Sequence, residues 1–113
     1  MIVPLLILAQ ATYFADHCRA ANGLTPSANR RKYGLCVAYN RGRLGDRLEL
    51  VSRAGRRVYV TVTDRGGMGR DTVDLRPEAA LALMGAQYKV IGRLQGVSIR
   101  TVSHASRSRK RRS

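Results

Sequence analysis

The residues best placed to do chemistry in this chain are two aspartates, Asp64 and Asp74, set on either side of a glycine-rich turn. The segment Val58-Tyr59-Val60-Thr61-Val62-Thr63 alternates, with the valines on one face and Tyr59, Thr61 and Thr63 on the other. It reads as a strand that delivers Asp64 at its end. Asp64-Arg65-Gly66-Gly67-Met68-Gly69 then turns the chain, and Val73-Asp74-Leu75 makes a second, short apolar-acidic strand. Three of the seven acidic residues fall in this stretch, against 21 basic ones in the whole chain. Carboxyls held at strand ends around such a loop suit acid–base chemistry or hydrogen bonding to sugar hydroxyls. Ordinary turn chemistry also accounts for Asp-Arg-Gly-Gly, with the Asp accepting from nearby amides and Gly taking positive φ.

The 113 residues leave room for one domain and one core. With one Phe, five Tyr and no Trp, that core is aliphatic, which suits a small β-rich fold. The formal net charge is +14, and most of the basic residues are Arg, so the surface seeks anionic partners. Nucleic acid and acidic cell-wall polymers fit that charge equally. Residues 104–113, His104 to Ser113, form a basic tail with no apolar side chain larger than Ala, which predicts disorder and a place where nucleic acid could be held. Residues 1–11 resemble the end of a secretory signal: an apolar run followed by the small-x-small pattern Ala9-Gln10-Ala11. A buried first strand is the alternative reading of the same residues. Export places the protein in the periplasm, the envelope or the medium, where Cys18 and Cys36 pair in a disulfide contributing about 3 kcal/mol. In a reducing compartment they are inert thiols. No CxxC or HxxxH spacing supports a metal site, and nothing requires a cofactor.

The elements that must position the aspartates follow from alternation and turn signals. Strands are expected over Thr12–Ala15, Leu35–Tyr39, Asp46–Val51, Val58–Thr63, Val73–Leu75 and Val97–Val102, with Leu48 and Leu50 inward and Glu49 outward as an ion-pair partner. Asp16 to Tyr33 reads as a long loop. Pro77 to Met84 is a single short helix, started by Pro77 and stopped at Gly85. Six short strands can bury their faces only by closing on themselves, so the fold class is mainly β, a small six-stranded barrel with one short helix.

Taken in order, Ala21-Asn22-Gly23, Val37-Ala38-Tyr39-Asn40, Leu44-Gly45-Asp46-Arg47-Leu48, Val60 to Gly66 and Val73-Asp74-Leu75 resemble the double-psi β-barrel of the rare lipoprotein A family, which expansins and barwin-like proteins share. The resemblance covers about 12–103 and implies a monomeric envelope or secreted protein acting on peptidoglycan glycan strands or another anionic cell-wall polysaccharide. It implies a lytic transglycosylase that cleaves between N-acetylmuramic acid and N-acetylglucosamine, leaving a 1,6-anhydro end. Asp64 takes the place of the general acid and base and Asp74 that of the second groove aspartate, with Asn22, Tyr39, Arg65 and Tyr13 as substrate-binding residues. Two departures stand out: Leu24 and Tyr39 occupy positions where the family usually has Glu and His. That loss motivates a second reading, a non-catalytic wall-binding module of the expansin or barwin kind. A basic nucleic-acid-binding protein is the third; the scarcity of aromatic stacking residues and the lack of a helix-turn-helix or zinc pattern count against it.

Overall fold

The computed structural model describes residues 7–105, and the remainder of the basic tail, 106–113, lies outside them. The elements in chain order are β1 (Ile7–Tyr13), α1 (Pro26–Tyr33), β2 (Cys36–Tyr39), β3 (Arg47–Val51), β4 (Arg57–Asp64), β5 (Thr72–Leu75), α2 (Pro77–Met84), α3 (Tyr88–Ile91) and β6 (Arg93–Ser103). The six strands close into a barrel in the order β1-β5-β2-β4-β3-β6. The β1–β5 and β2–β4 pairs are parallel and the others antiparallel. Closure leaves no strand edge open, which is how so small a sheet buries a whole face. Val37, Leu48, Leu50, Val60, Val62, Val73, Leu75 and Val97 fill the interior. α2 lies across β1, β2, β4 and β5 and adds Ala79, Ala80 and Leu83 to the same core.

Three differences from the sequence expectations have physical causes. β1 begins at Ile7 rather than Thr12, and Ala9 and Ala11, the small residues of the signal-like pattern, are core residues. Their size answers to packing, and cleavage after Ala11 would remove most of β1. Residues 26–33, read as part of a loop, form α1. Its Thr25 cap accepts from the Ala28 amide at 3.2 Å, Pro26 starts the helix, and Gly34 ends it at φ +80°. The helix shows no apolar stripe because it buries only Asn29, so periodicity had nothing to detect. A further short helix, α3, occupies the stretch after α2, ended by Gly92.

Glu49 faces out of the barrel as expected, yet it is buried beneath its partners. Arg57 Nη1 lies 2.6 Å from Oε2, the Tyr59 hydroxyl donates to Oε2 at 3.0 Å, and Arg100 Nε donates to Oε1 at 3.1 Å. The bonds from Arg100 and Arg57 hold its carboxyl at about 2, below the ordinary 4.5. The fold therefore favours the ionised form. The resulting stabilisation is complete above about pH 4.5 and is lost as pH falls through about 2. Denaturant titrations across that window are expected to show the stability gap between the native protein and Glu49→Gln shrinking as pH falls. A gap independent of pH would contradict this role.

Candidate functional site

Four strands each contribute one residue to a single row on the outside of the barrel. Thr12 of β1 is opposite Asp74 of β5, Asp74 is opposite Ala38 of β2, and Ala38 is opposite Asp64 of β4. The intervening Ala11, Val73, Val37 and Leu75 are all interior, so alternation turns the row outward. A register shift between Val37 and Ala38 gives β4 one extra residue, and this bulge aligns Asp64 instead of Thr63 with Ala38. The two aspartates thus flank β2, two strand spacings or about 10 Å apart along the backbone.

Asp64 is held by its surroundings. Its Oδ1 accepts the Ala21 and Arg65 amides, each at 2.8 Å, which draws the loop before α1 onto the end of β4. Among the described residues its Oδ2 has no hydrogen-bond partner. Asp74 Oδ1 accepts from the Thr12 hydroxyl at 2.6 Å. Burial pushes the Asp74 carboxyl above its ordinary range, the Thr12 bond opposes this, and the nearby charge of Asp64 adds to the rise.

The other five acids are spent. Asp16 pairs with Arg76, Glu49 with Arg57 and Arg100, Asp71 with Arg41, and Glu78 with Arg30. Buried Asp46 accepts the Arg43 and Ala105 amides and lies 3.4 Å from His104 Nδ1. Among the described residues, Asp64, Asp74 and Asp46 have no Arg or Lys partner, and since Asp46 is buried and bonded to two amides, Asp64 and Asp74 are the two that reach solvent in a chain of net charge +14.

A small, open-mouthed pocket adjoins Asp64. Phe14 and Arg76 form one wall, the guanidinium stacked 4.8 Å from the ring centroid and bonded to the Asp16 carboxylate at 3.3 Å and carbonyl at 3.1 Å. The Arg30–Glu78 pair, at 3.0 Å, stands at the rim. Asn40, whose sequence signal is only its place in the Val37-Ala38-Tyr39-Asn40 motif, shapes the other side of Asp64. Its Nδ2 donates to the Gly66 and Met68 carbonyls, and its Oδ1 accepts the Gly66 amide. Phe14 and Thr12 shared a signal that alternation along β1 carried, since both point to the face opposite Ala11.

The residues expected to bind substrate do not converge. Arg65 is exposed next to Asp64, with its guanidinium 3.4 Å from the Asn40 carbonyl. Asn22 forms a reciprocal amide pair with buried Asn29, at 2.7 and 3.2 Å, and its Oδ1 also accepts the Leu24 amide, so it clasps the loop. Tyr39 is a correction. It is only 2% exposed, sits on the interior face opposite Val73, and its buried hydroxyl has no partner among the described residues. Burial pushes its phenol up. Tyr13 packs at the edge of the core, edge-on to Tyr88 at 5.1 Å, away from the cavity lining.

The expected Cys18–Cys36 disulfide is also corrected, because both cysteines are free. Cys36 is buried in β2 with its Sγ donating to the Gly34 carbonyl at 3.3 Å, and burial pushes its thiol up. Cys18 lies exposed on the segment that Arg76 and Arg19 tie down through Asp16 and Gly23.

No protein-family model and no curated protein sequence matches the chain. Solved structures do. The Streptomyces papain inhibitor is 22% identical over 87% of this chain and 94% of its own, with a TM-score of 0.69. An expansin from Clavibacter michiganensis, solved as a point mutant in complex with cellohexaose, is 19% identical over 92% of this chain, with a TM-score of 0.67; the match spans 54% of the expansin. Cerato-platanin 3 from M. perniciosa is 15% identical over 86% of this chain and 95% of its own, with a TM-score of 0.62. At these identities the likeness is one of fold, and the fold of this chain is the six-stranded double-psi β-barrel.

Proposed function

We propose that the chain is a polysaccharide-binding module that holds a cell-wall glycan along the row marked by Asp64 and Asp74 without cutting it. One observation carries this reading: two solvent-reaching acids without an Arg or Lys partner flank Ala38 on one row of a strongly basic barrel. Carboxylates left free of arginine are acceptors for sugar hydroxyls, and Phe14 beside them supplies an apolar ring for a sugar face. The substrate class draws support from the expansin solved with cellohexaose. Peptidoglycan glycan strands are the wall polymer that the rare lipoprotein A resemblance adds, and an exported protein follows from either.

Binding is favoured over cleavage by what surrounds Asp64. Leu24 and buried Tyr39 leave that carboxylate without the polar helpers expected near a reacting sugar. Lytic transglycosylation is the second reading, favoured by the raised Asp74 carboxyl, which keeps a proton to higher pH than an ordinary aspartate. In that reaction a carboxyl protonates the leaving glycosidic oxygen and then accepts the proton of the attacking 6-hydroxyl.

The test is calorimetric titration with cellohexaose together with sedimentation on purified sacculi, the supernatants being searched by mass spectrometry for anhydro-muropeptides. Saturable binding to at least one glycan without soluble products is expected, with Asp74→Asn binding roughly tenfold more weakly. Anhydro products that disappear in Asp64→Asn would establish the lytic reading instead.

A further inference from the structure

Round the barrel from the aspartate row, on β4, β3 and β6, lies a second constellation of different chemistry; β4 carries Asp64 at one end and Arg57 and Tyr59 toward the other. In the ring of strands β3 is opposite β5, and the register sets Tyr59 of β4, Glu49 of β3 and Arg100 of β6 side by side. Arg57, two residues before Tyr59, shares its face. Glu49 is saturated by these three neighbours and almost removed from solvent, whereas Arg57 and Arg100 remain 56% and 34% exposed and Tyr59 44%. Arg100 spends only its Nε on the carboxylate and Arg57 one Nη1, so each guanidinium keeps donors for a ligand. In the next row Arg47 donates to Thr61 Oγ1 at 3.1 Å and is itself exposed. Glu49 is the only acid on β3 and β6, so this surface is cationic, while Asp74 lies on the opposite strand β5 and Asp64 at the far end of β4.

A lone pair of long arginines on a sheet loses rotamer freedom on meeting an anion. Here the buried carboxylate has already fixed both, and the phenol of Tyr59 as well. We propose that this face is a second binding surface, for a phosphate-bearing polysaccharide. Arg57 and Arg100 take the phosphate oxygens, and the Tyr59 ring lies against an adjoining sugar. A single exposed tyrosine among arginines suits one sugar beside one charge; single-stranded nucleic acid is gripped by successive aromatic platforms, which these three strands lack. The surface is separate from the Asp64 row and is tested independently of it.

The test uses the full chain and purified phosphomannan, a polymer of hexose rings that bear phosphate. In the triple variant Glu49→Leu, Arg57→Met, Arg100→Met the buried charge and its partners leave together, the kind of exchange that folds tolerate. Its net charge falls by one, and Arg31→Met, on α1, is the control of equal charge change. At about 0.1 M salt the triple variant is expected to bind the polymer roughly tenfold more weakly, with a salt dependence shallower by about 1.5 in slope, while Arg31→Met and the binding of cellohexaose are unchanged. Tyr59→Ala leaves the ion triad in place and provides a second readout: a loss of about threefold toward the polymer and none toward inorganic phosphate. Native-like polymer affinity in the triple variant at unchanged Tm, or in Tyr59→Ala should the triple variant not fold, overturns the proposal. So does an oligonucleotide of equal phosphate number that binds as tightly and depends on the same arginines, since it would assign the face to nucleic acid.

Discussion

Asp64→Ala is expected to eliminate detectable glycan binding and to free the loop before α1, while Asp64→Asn loses most of the binding and keeps the loop. Oδ1 is the shared acceptor of the Ala21 and Arg65 amides, and the Ala21 bond joins positions 43 residues apart. Hydrogen bonds to a charged acceptor contribute about 1.5–3 kcal/mol each, and exposed amides recover part of that from water. A net cost near 2 kcal/mol for Ala follows, roughly 8 °C in Tm for a domain of this size. Asparagine retains an oxygen for both amides, so its Tm stays close to that of the native protein, but it surrenders the charge at Oδ2 that sugar hydroxyls would meet. Losing a charged acceptor corresponds to about a 10- to 100-fold rise in Kd. Calorimetry with cellohexaose or sacculus sedimentation reads the second effect; hydrogen exchange at Ala21 and Arg65 reads the first. Undiminished glycan binding by Asp64→Asn would remove Asp64 from the site.

The contrast between those variants marks what could be read from the sequence. Alternation from Val58 to Thr63 placed Asp64 at a strand end, and the short Val73–Leu75 segment placed Asp74 on another, because both signals are local. That β2 inserts between them, and that a bulge at Thr63 is needed to align Asp64 with Ala38, depends on parallel pairings formed across the barrel. The small polar α1 was invisible for a related reason: its stability comes from caps and from the Asn22–Asn29 clasp, and neither produces an apolar period. Tyr39 misled because a residue at a family's polar position looks functional, while the register with Val73 and Leu75 turns it inward. The cysteine expectation rested on there being two of them. Cys36 instead finds a local acceptor at Gly34. The unpaired state of Asp64 and Asp74 could not be foreseen from composition either, since so many arginines were available to neutralise any acid.

A chain that starts at Thr12 is expected not to fold. β1 is the strand that closes the barrel, joined to β5 through Gln10 to Tyr13 and to β6 from Ile7 to Thr12. Removing residues up to Ala11 deletes half of the β5 ladder and most of the β6 ladder and opens two facing edges. It also strips Ala9 and Ala11 from an interior where Val73, Val97 and Ile99 are almost wholly buried. Each lost ladder bond costs about 1 kcal/mol net and each exposed aliphatic about 1.5–3 kcal/mol, whereas a domain of this kind has a total stability of roughly 5–15 kcal/mol. The sum therefore exceeds what the rest of the barrel can supply. Loss of the cooperative transition in urea, with collapse of the near-ultraviolet tyrosine signal, is the expected result. Ala11→Asp in the full chain should reproduce it, because it drives a charge into a position with no exposure. A native-like transition in the Thr12-start variant would mean that β5 and β6 can close without β1, and processing after Ala9-Gln10-Ala11 would again be compatible with the fold.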